Sequence, residues 1–337
     1  MKRYFRPLAL LLAMALVSAG CNGDDNVDDV TDDPAAAEVE ESEDGLVIGF
    51  SQVTLASPFY VELRDGAQEL AESLGHELIF LDADGDETRQ NNDVADLITQ
   101  GVDVIILNPV DPEAVAPALR DAEDAGIPVV TVDRPVESGA LAHVGRDNVQ
   151  MGRAVGEEIV EIFGDAEAKV IEIQGDAGGI VMRDRRDGFN EAVDAAPNIE
   201  VVEGPYAEYI RAEAVTAMQD LLEAHPDVDA VYAHNDDMAI GALQVLQDAG
   251  RDDVIVAGVD GLMDAIELMA DGEQYVATSL NDPRYLGAAT IEVAIAAALG
   301  EDVPEFVDAG TMVVTQENAA DFVGDTVMAE YSPGLDL

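Results

Sequence analysis

Cysteine is almost missing from this 337-residue chain, which carries only Cys21. One thiol excludes an internal disulfide framework, and a chain of this length buries enough surface to need no staple. Lysine occurs only at Lys2 and Lys169, and 16 basic residues face 71 acidic ones, for a formal charge of −55. Such a field repels nucleic acid and argues against phosphorylated or strongly anionic ligands. Long apolar runs are absent apart from Leu8–Val17, and about ten residues fall short of a membrane span. The four histidines, His76, His143, His225 and His234, lack zinc-ligand spacing. No Gly-x-Gly-x-x-Gly follows the first apolar run and no Walker loop occurs. Gly175-Asp-Ala-Gly-Gly179 has no lysine, and Asp176 would repel phosphate, so it reads as a tight turn. Asp82-Ala-Asp-Gly-Asp-Glu87 alternates acids as calcium loops do, but its glycine is misplaced, standing fourth instead of sixth. Neither a cofactor nor a metal is expected. Asp133 with Asp260 could be imagined as a glycosidase pair, yet two carboxylates among 71 mean little.

What is present begins with a signal. Lys2, Arg3 and Arg6 precede the apolar run, and Ser18-Ala19-Gly20 supplies small residues before a cut. Residues 1–20 are read as a signal peptide. Cys21 directly after it resembles the bacterial lipoprotein box, with Ser18 where an aliphatic residue is usual. That resemblance implies acylation of Cys21 and stable membrane anchoring by two or more chains. Residues 21–45 would then be a lipidated acidic tether; Asn22 to Gly45 holds eleven acidic residues and no basic one. The acidic excess as a whole is read as adaptation to high salt, where the Debye length shrinks to about 3 Å at 1 M.

From Leu46 onward, short β-branched runs alternate with helical stripes. The runs are Leu46–Phe50, Glu77–Leu81, Val102–Leu107, Pro128–Val132, Lys169–Ile173, Ala230–Tyr232 and Val254–Val259. Val61, Leu63, Ala67, Leu70 and Leu74 form one stripe; Leu286, Ala289, Val293 and Ala297 form another. This alternation predicts an α/β protein whose parallel sheets are covered on both faces. Two doubly wound, Rossmann-like lobes suit that many strands better than one sheet. Ligands of such sheets bind beyond the carboxyl ends of the strands. Five strand ends there deliver Ser57-Pro-Phe-Tyr60, Asp133-Arg134, Asn235-Asp-Asp237, Asp260-Gly261 and Asn281-Asp282. Carboxylates, amides and a guanidinium bond hydroxyl groups, and aromatic faces cover the C–H surface of a ring. Singly, each motif also reads as a turn or cap: Ser57-Pro58 suits a helix start, and Asp260-Gly261 a turn.

The stretches Ser57-Pro-Phe-Tyr-Val-Glu-Leu-Arg-Asp-Gly-Ala-Gln68, Asn108-Pro-Val-Asp111, Asp133-Arg134, Arg183-Asp-Arg-Arg-Asp-Gly-Phe189, Asn235-Asp-Asp-Met-Ala-Ile-Gly-Ala-Leu243 and Gly258-Val-Asp-Gly261 resemble the periplasmic sugar-binding proteins of the ribose-binding type. The resemblance runs from about residue 46 to 316. It implies the type I periplasmic binding protein fold: two lobes joined by a three-stranded hinge, with a sugar in the cleft. The implied boundaries are 46–147 plus 282–310 for the N-terminal lobe and 148–281 plus 311–337 for the C-terminal lobe. Phe59 and Tyr60 would form one aromatic wall and Tyr209 the other. Ser57 lies beside them, and Asp133, Arg134, Arg183, Asn235, Asp260 and Asn281 would bond the hydroxyls. Arg183 is taken as the cleft guanidinium, although Arg185 and Arg186 crowd it. Val259 stands in a phenylalanine place, Tyr209 in another, and Asn281 in a glutamine place. These departures suggest a roomier, more polar pocket suited to a hexose or cyclitol. Asn148, Asn281 and the neighbourhood of Gly310 are the expected crossovers.

The resemblance further implies a monomeric, extracytoplasmic binder that closes on a neutral sugar or polyol and hands it to an ABC transporter permease. A sensor presenting the same sugar to a chemoreceptor or kinase is the alternative; an enzyme is disfavoured. Sugar-responsive repressors share the core, but here a signal and an acidic tether occupy the place of a DNA-binding head. Beyond the resemblance, Phe322, Val323, Val327 and Met328 are expected to pack as a final helix.

Overall fold

The computed structural model describes residues 45–335. The assigned signal peptide, Cys21 and nearly all of the tether therefore lie outside the described residues.

Two six-stranded sheets organise the chain. The first holds β1 (Val47–Gln52), β2 (Glu77–Asp82), β3 (Val104–Leu107), β4 (Val129–Val132), β5 (Ala142–Gly145) and, much later, β11 (Phe306–Asp308). Its order is β11-β5-β4-β3-β1-β2, every pair parallel. The second holds β6 (Ala168–Gln174), β7 (Ile199–Tyr206), β8 (Ala230–Ala233), β9 (Ile255–Asp260), β10 (Tyr275–Leu280) and β12 (Val313–Thr315). Its order is β12-β10-β9-β8-β6-β7, parallel except where β12 runs against β10. This is the doubly wound pair of lobes expected above.

Period-two burial explains the layers. Along β1 and β3, Ile48, Phe50, Val104 and Ile106 face α1 (Pro58–Ser73) and α9 (Pro283–Ala298). Ile105 and Leu107 face the opposite side, toward α2 (Glu87–Gln100) and α3 (Ala116–Ala125). Both faces are thus covered, which is why these strands read as continuous apolar runs. The second sheet is enclosed likewise. On one face lie α4 (Asn148–Phe163) and α5 (Ile180–Val193); on the other lie α6 (Arg211–Ala224), α7 (Asp236–Asp248) and α8 (Met263–Ala270). Helices α4 and α5 nearly touch: a Cβ on Gly152 would collide with the Arg185 carbonyl, and one on Gly188 with that of Val149. Glycine is required at both positions, and the approach sets the depth of α5.

The chain passes between the sheets three times, at Arg146–Asp147, at Asn281–Asp282 and between β11 and β12. Ala142–Gly145, which is not among the apolar runs named above, forms strand β5 just before the first of these passages. The final segment departs from the expected helix. A single 3-10 turn, Ala319–Asp321, precedes extended chain in which Ala329 N–H donates to the Gly261 carbonyl (2.7 Å). Val327 accepts from Met263 N–H (2.9 Å), so backbone pairing to the β9 turn takes the groups that a helix would bond internally.

Candidate functional site

The carboxyl ends of the two sheets face each other across a cavity of about 30 Å³. Nine of the ten residues expected at the ligand line it: Ser57, Phe59, Tyr60, Asp133, Arg134, Tyr209, Asn235, Asp260 and Asn281. Arg183 does not. Its side chain is 53% exposed on α5 and pairs only with Asp184 at 3.5 Å. Arg185, two positions on and about 200° around a helix of ~3.6 residues per turn, enters the cavity instead. Val181 lies one turn before Arg185 on the same face and supplies apolar wall. Val259, expected to leave room at the wall, is buried in the core under α4.

Each element aims its residue for a local reason. Ser57 holds the N-cap position of α1 with Pro58 first in the helix, but its side chain makes no cap hydrogen bond. Phe59 and Tyr60 follow and pack edge to face, centroids 5.4 Å apart. Asn235 caps α7 by accepting from Met238 N–H (3.0 Å), which turns its amide nitrogen toward the Tyr209 carbonyl (3.4 Å). Asp133 (φ 61°), Tyr209 (φ 58°) and Asp260 (φ 121°) all sit at positive φ. Such backbone costs about 1–3 kcal/mol per residue and persists only where the surroundings over-determine it.

For Asp260 those surroundings are visible. The Asp236 carboxylate, wholly buried, accepts from Gly261 N–H (2.7 Å), Leu262 N–H (2.7 Å), Tyr275 Oη (2.6 Å) and Thr278 Oγ1 (2.8 Å). It holds the turn that follows Asp260. The sequence gives no sign of this role, because nothing local marks which of the adjacent acids Asp236 and Asp237 turns inward.

The polar groups form linked pairs. On the first-sheet side, Arg134 donates to Tyr60 Oη (3.1 Å), and Asn108 donates to Asp133 (3.5 Å). Arg134 also reaches across to Asp176 of the opposite lobe at 3.5 Å. On the second-sheet side, Arg185 donates to the His234 carbonyl (2.5 Å), to Asn148 Oδ1 (2.9 Å) and to Asp260 Oδ1 (3.3 Å). Its guanidinium carbon lies 6.0 Å from the Tyr209 ring centroid. The Tyr209 hydroxyl is buried with no hydrogen-bond partner among the described residues. Two guanidinium groups thus balance two carboxylates, and a free hydroxyl stands beside them. Such a lining suits an uncharged molecule with many hydroxyls, since a net ligand charge would remain uncompensated in a site this buried. Among the described residues, no cluster of histidine, cysteine and acidic side chains could hold a metal ion.

Burial pushes the Asp260 carboxyl up to about 7, against the opposing Arg185 charge. Burial also raises Asp133, with Arg134 the main opposing group. The unfolded value of an aspartate is about 3.9, so the native chain binds more protons than the unfolded one between about pH 4 and pH 7. Stability from this group therefore falls across that window as pH rises. Asp260→Asn removes the titration, and its stability relative to the parent is expected to climb from pH 4 to pH 7 and then level off. Urea unfolding of both chains across that range checks it; parallel curves would refute the assignment.

Known proteins share this architecture. The profile of the periplasmic binding protein domain matches residues 48–302. The ribose import binding protein RbsB of Escherichia coli (strain K12) is 42% identical over 251 residues, 74% of this chain and 84% of its own length. Among solved structures, an ABC transporter solute binding protein from Mycobacterium smegmatis with bound glycerol superposes with a TM-score of 0.84 at 60% identity, over 85% of this chain and all of that one. A solute binding protein from Bacillus halodurans C-125 with bound myo-inositol gives 0.79 at 33% identity, over 84% of this chain and 99% of that one.

Proposed function

The chain belongs to the periplasmic binding protein domain family, and from that premise we propose that it is the solute-binding subunit of an ABC importer for a neutral monosaccharide or polyol. The observation that carries this reading is the charge-balanced lining: Arg134 and Arg185 against Asp133 and Asp260, between Phe59, Tyr60 and Tyr209. The ribose relative is an import binding protein, and the two solved structures are ABC transporter solute binding proteins with bound glycerol and myo-inositol, which supports capture as the role here. The two sequence lobes, 46–147 plus 282–310 and 148–281 plus 311–337, are the bodies that close. A ligand touching both has higher affinity for the closed state, and that difference drives closure.

A cyclitol or hexose suits the site better than ribose in this reading, since the second wall carries the Tyr209 hydroxyl. Calorimetry against ribose, galactose, xylitol, glycerol and myo-inositol, with small-angle scattering of the same mixtures, tests it. At least one of them is expected to bind and contract the molecular outline. No heat and an unchanged outline with all five would discard the sugar reading; tight ribose binding with no other ligand would discard the cyclitol preference.

Family membership carries an extracytoplasmic location. The further proposal is that acylated Cys21 anchors the protein at the membrane through residues 22–45, as a monomer delivering ligand to its permease. Mass spectrometry of the mature N-terminus decides this, because an unmodified Cys21 behind an uncut signal would end the proposal.

A further inference from the structure

We propose that Arg146 is a positioning residue for ligand binding, a buried guanidinium that ties the three crossovers together and fixes which way the Asn281 amide faces. The inference rests on the sugar-binding reading of the cavity, but its geometry is independent of any ligand.

Arg146 sits in the first crossover and is 6% exposed. Its Nε donates to the Gly310 carbonyl in the third crossover (2.7 Å). Its Nη2 donates to the Asp282 carbonyl in the second (2.9 Å), and its Nη1 to Asn281 Oδ1 (2.6 Å). One side chain therefore joins all three passages between the lobes. Guanidinium geometry makes this possible, because its donors point in fixed, divergent directions.

The contact with Asn281 carries chemical information. Arginine can only donate, so the carbonyl end of the Asn281 amide must face Arg146. Its nitrogen then faces Asp260, donating to Oδ1 at 3.1 Å. The circuit closes on itself. Asp260 accepts from Arg185, Arg185 donates to Asn148 Oδ1, and Asn148 Nδ2 donates to the Arg146 carbonyl (3.3 Å). Five residues thus form a ring, closed through the Arg146 backbone carbonyl, with three members at the cavity and two at the crossovers. Removing Arg146 leaves the Asn281 carbonyl without its buried donor, so the amide is held only through its bond to Asp260 and a ligand-facing group loses its fixed position. It also unties Gly310 and Asp282, so the crossovers lose their common anchor.

The test uses the full mature chain. Without added sugar, Arg146→Met is expected to speed hydrogen exchange at least tenfold at the Asn281 and Ala309 amides, beside the second and third crossovers. Exchange at the lobe-core amides of Ile106 and Val231 is expected to stay within twofold. With myo-inositol, xylitol and ribose as probes, Arg146→Met is expected to lose at least tenfold in affinity. The double variant Arg146→Met/Asn281→Ala is expected to bind no worse than Asn281→Ala alone, and Arg146→Lys to recover part of the loss. Should Arg146→Met fail to fold, Arg146→Lys carries both readouts with smaller changes. Unchanged exchange at both crossover amides, or additive affinity losses in the double variant, overturns the proposal. If the parent chain binds none of the probes, the sugar reading fails while exchange alone decides the role of Arg146.

Discussion

Replacing Arg185 with methionine is expected to lower sugar affinity by at least about 100-fold, while the same change at Arg183 leaves it within about twofold. Truncating one partner of a buried, hydrogen-bonded charge pair costs about 2–5 kcal/mol in binding, much of it from the partner left unpaired. Arg185 has that position: it is 3% exposed and bonds Asp260, Asn148 and the His234 carbonyl. Arg183 pairs only with Asp184, on a side chain more than half exposed, where ion pairs contribute little. Calorimetry on the two variants with any ligand of the parent separates them. Equal losses, or a larger loss at Arg183, would show that the wrong face of α5 has been assigned to the cleft. Because Arg185→Met also leaves Asp260 without its cation, urea unfolding should accompany the binding measurement. Methionine keeps the bulk of the stem, so the loss expected is one of charge and hydrogen bonding.

The second large effect concerns salt. With 71 acidic and 16 basic residues, the chain repels itself in dilute buffer, and screening relieves the native state most because its charges are closest together. Raising NaCl from about 0.05 M to about 1 M, where the Debye length falls to about 3 Å, is expected to raise the unfolding midpoint by at least about 5 °C. KCl is expected to act alike, since the effect is one of ionic strength. A midpoint that stays flat or falls with both salts would remove the high-salt reading of the composition. The neutral lining of the cavity makes a companion contrast: affinity for an uncharged ligand should move far less with salt than stability does.

Much of the fold was legible because burial on two faces writes itself into composition. Strands β1, β3, β4, β8 and β9 are fully covered, and each was visible as a short β-branched run. Strand β7, with Glu200, Glu203, Gly204 and Pro205 in it, lies at a sheet edge with several exposed positions and left no such run. The three-residue strands β11 and β12 exist only through pairing with β5 and β10, so no local pattern announces them. The tail shows the same dependence: its apolar residues suggested a helix, but its partner is the turn after Asp260.

The site divides along a similar line. Nine expected ligand residues stand at strand ends or at the first helical turn after one, where topology alone directs them to one opening. Arg185 lies further along a helix, where a rotation of two residues exchanges cavity for solvent. Asp236 and Arg146 act through backbone groups remote in sequence, at separations no spacing rule encodes.

By itself, then, the amino-acid order settled the architecture, the charge, and the kind of chemistry waiting at the strand tips, because periodic burial and turn-forming residues are properties of neighbours along the chain. Only the packed molecule decided which guanidinium enters the cleft, which carboxylate braces the strained turn, and how three crossovers share one cation. Those outcomes depend on helix rotation and on the depth at which α5 settles against Gly152, quantities set by contacts between distant segments.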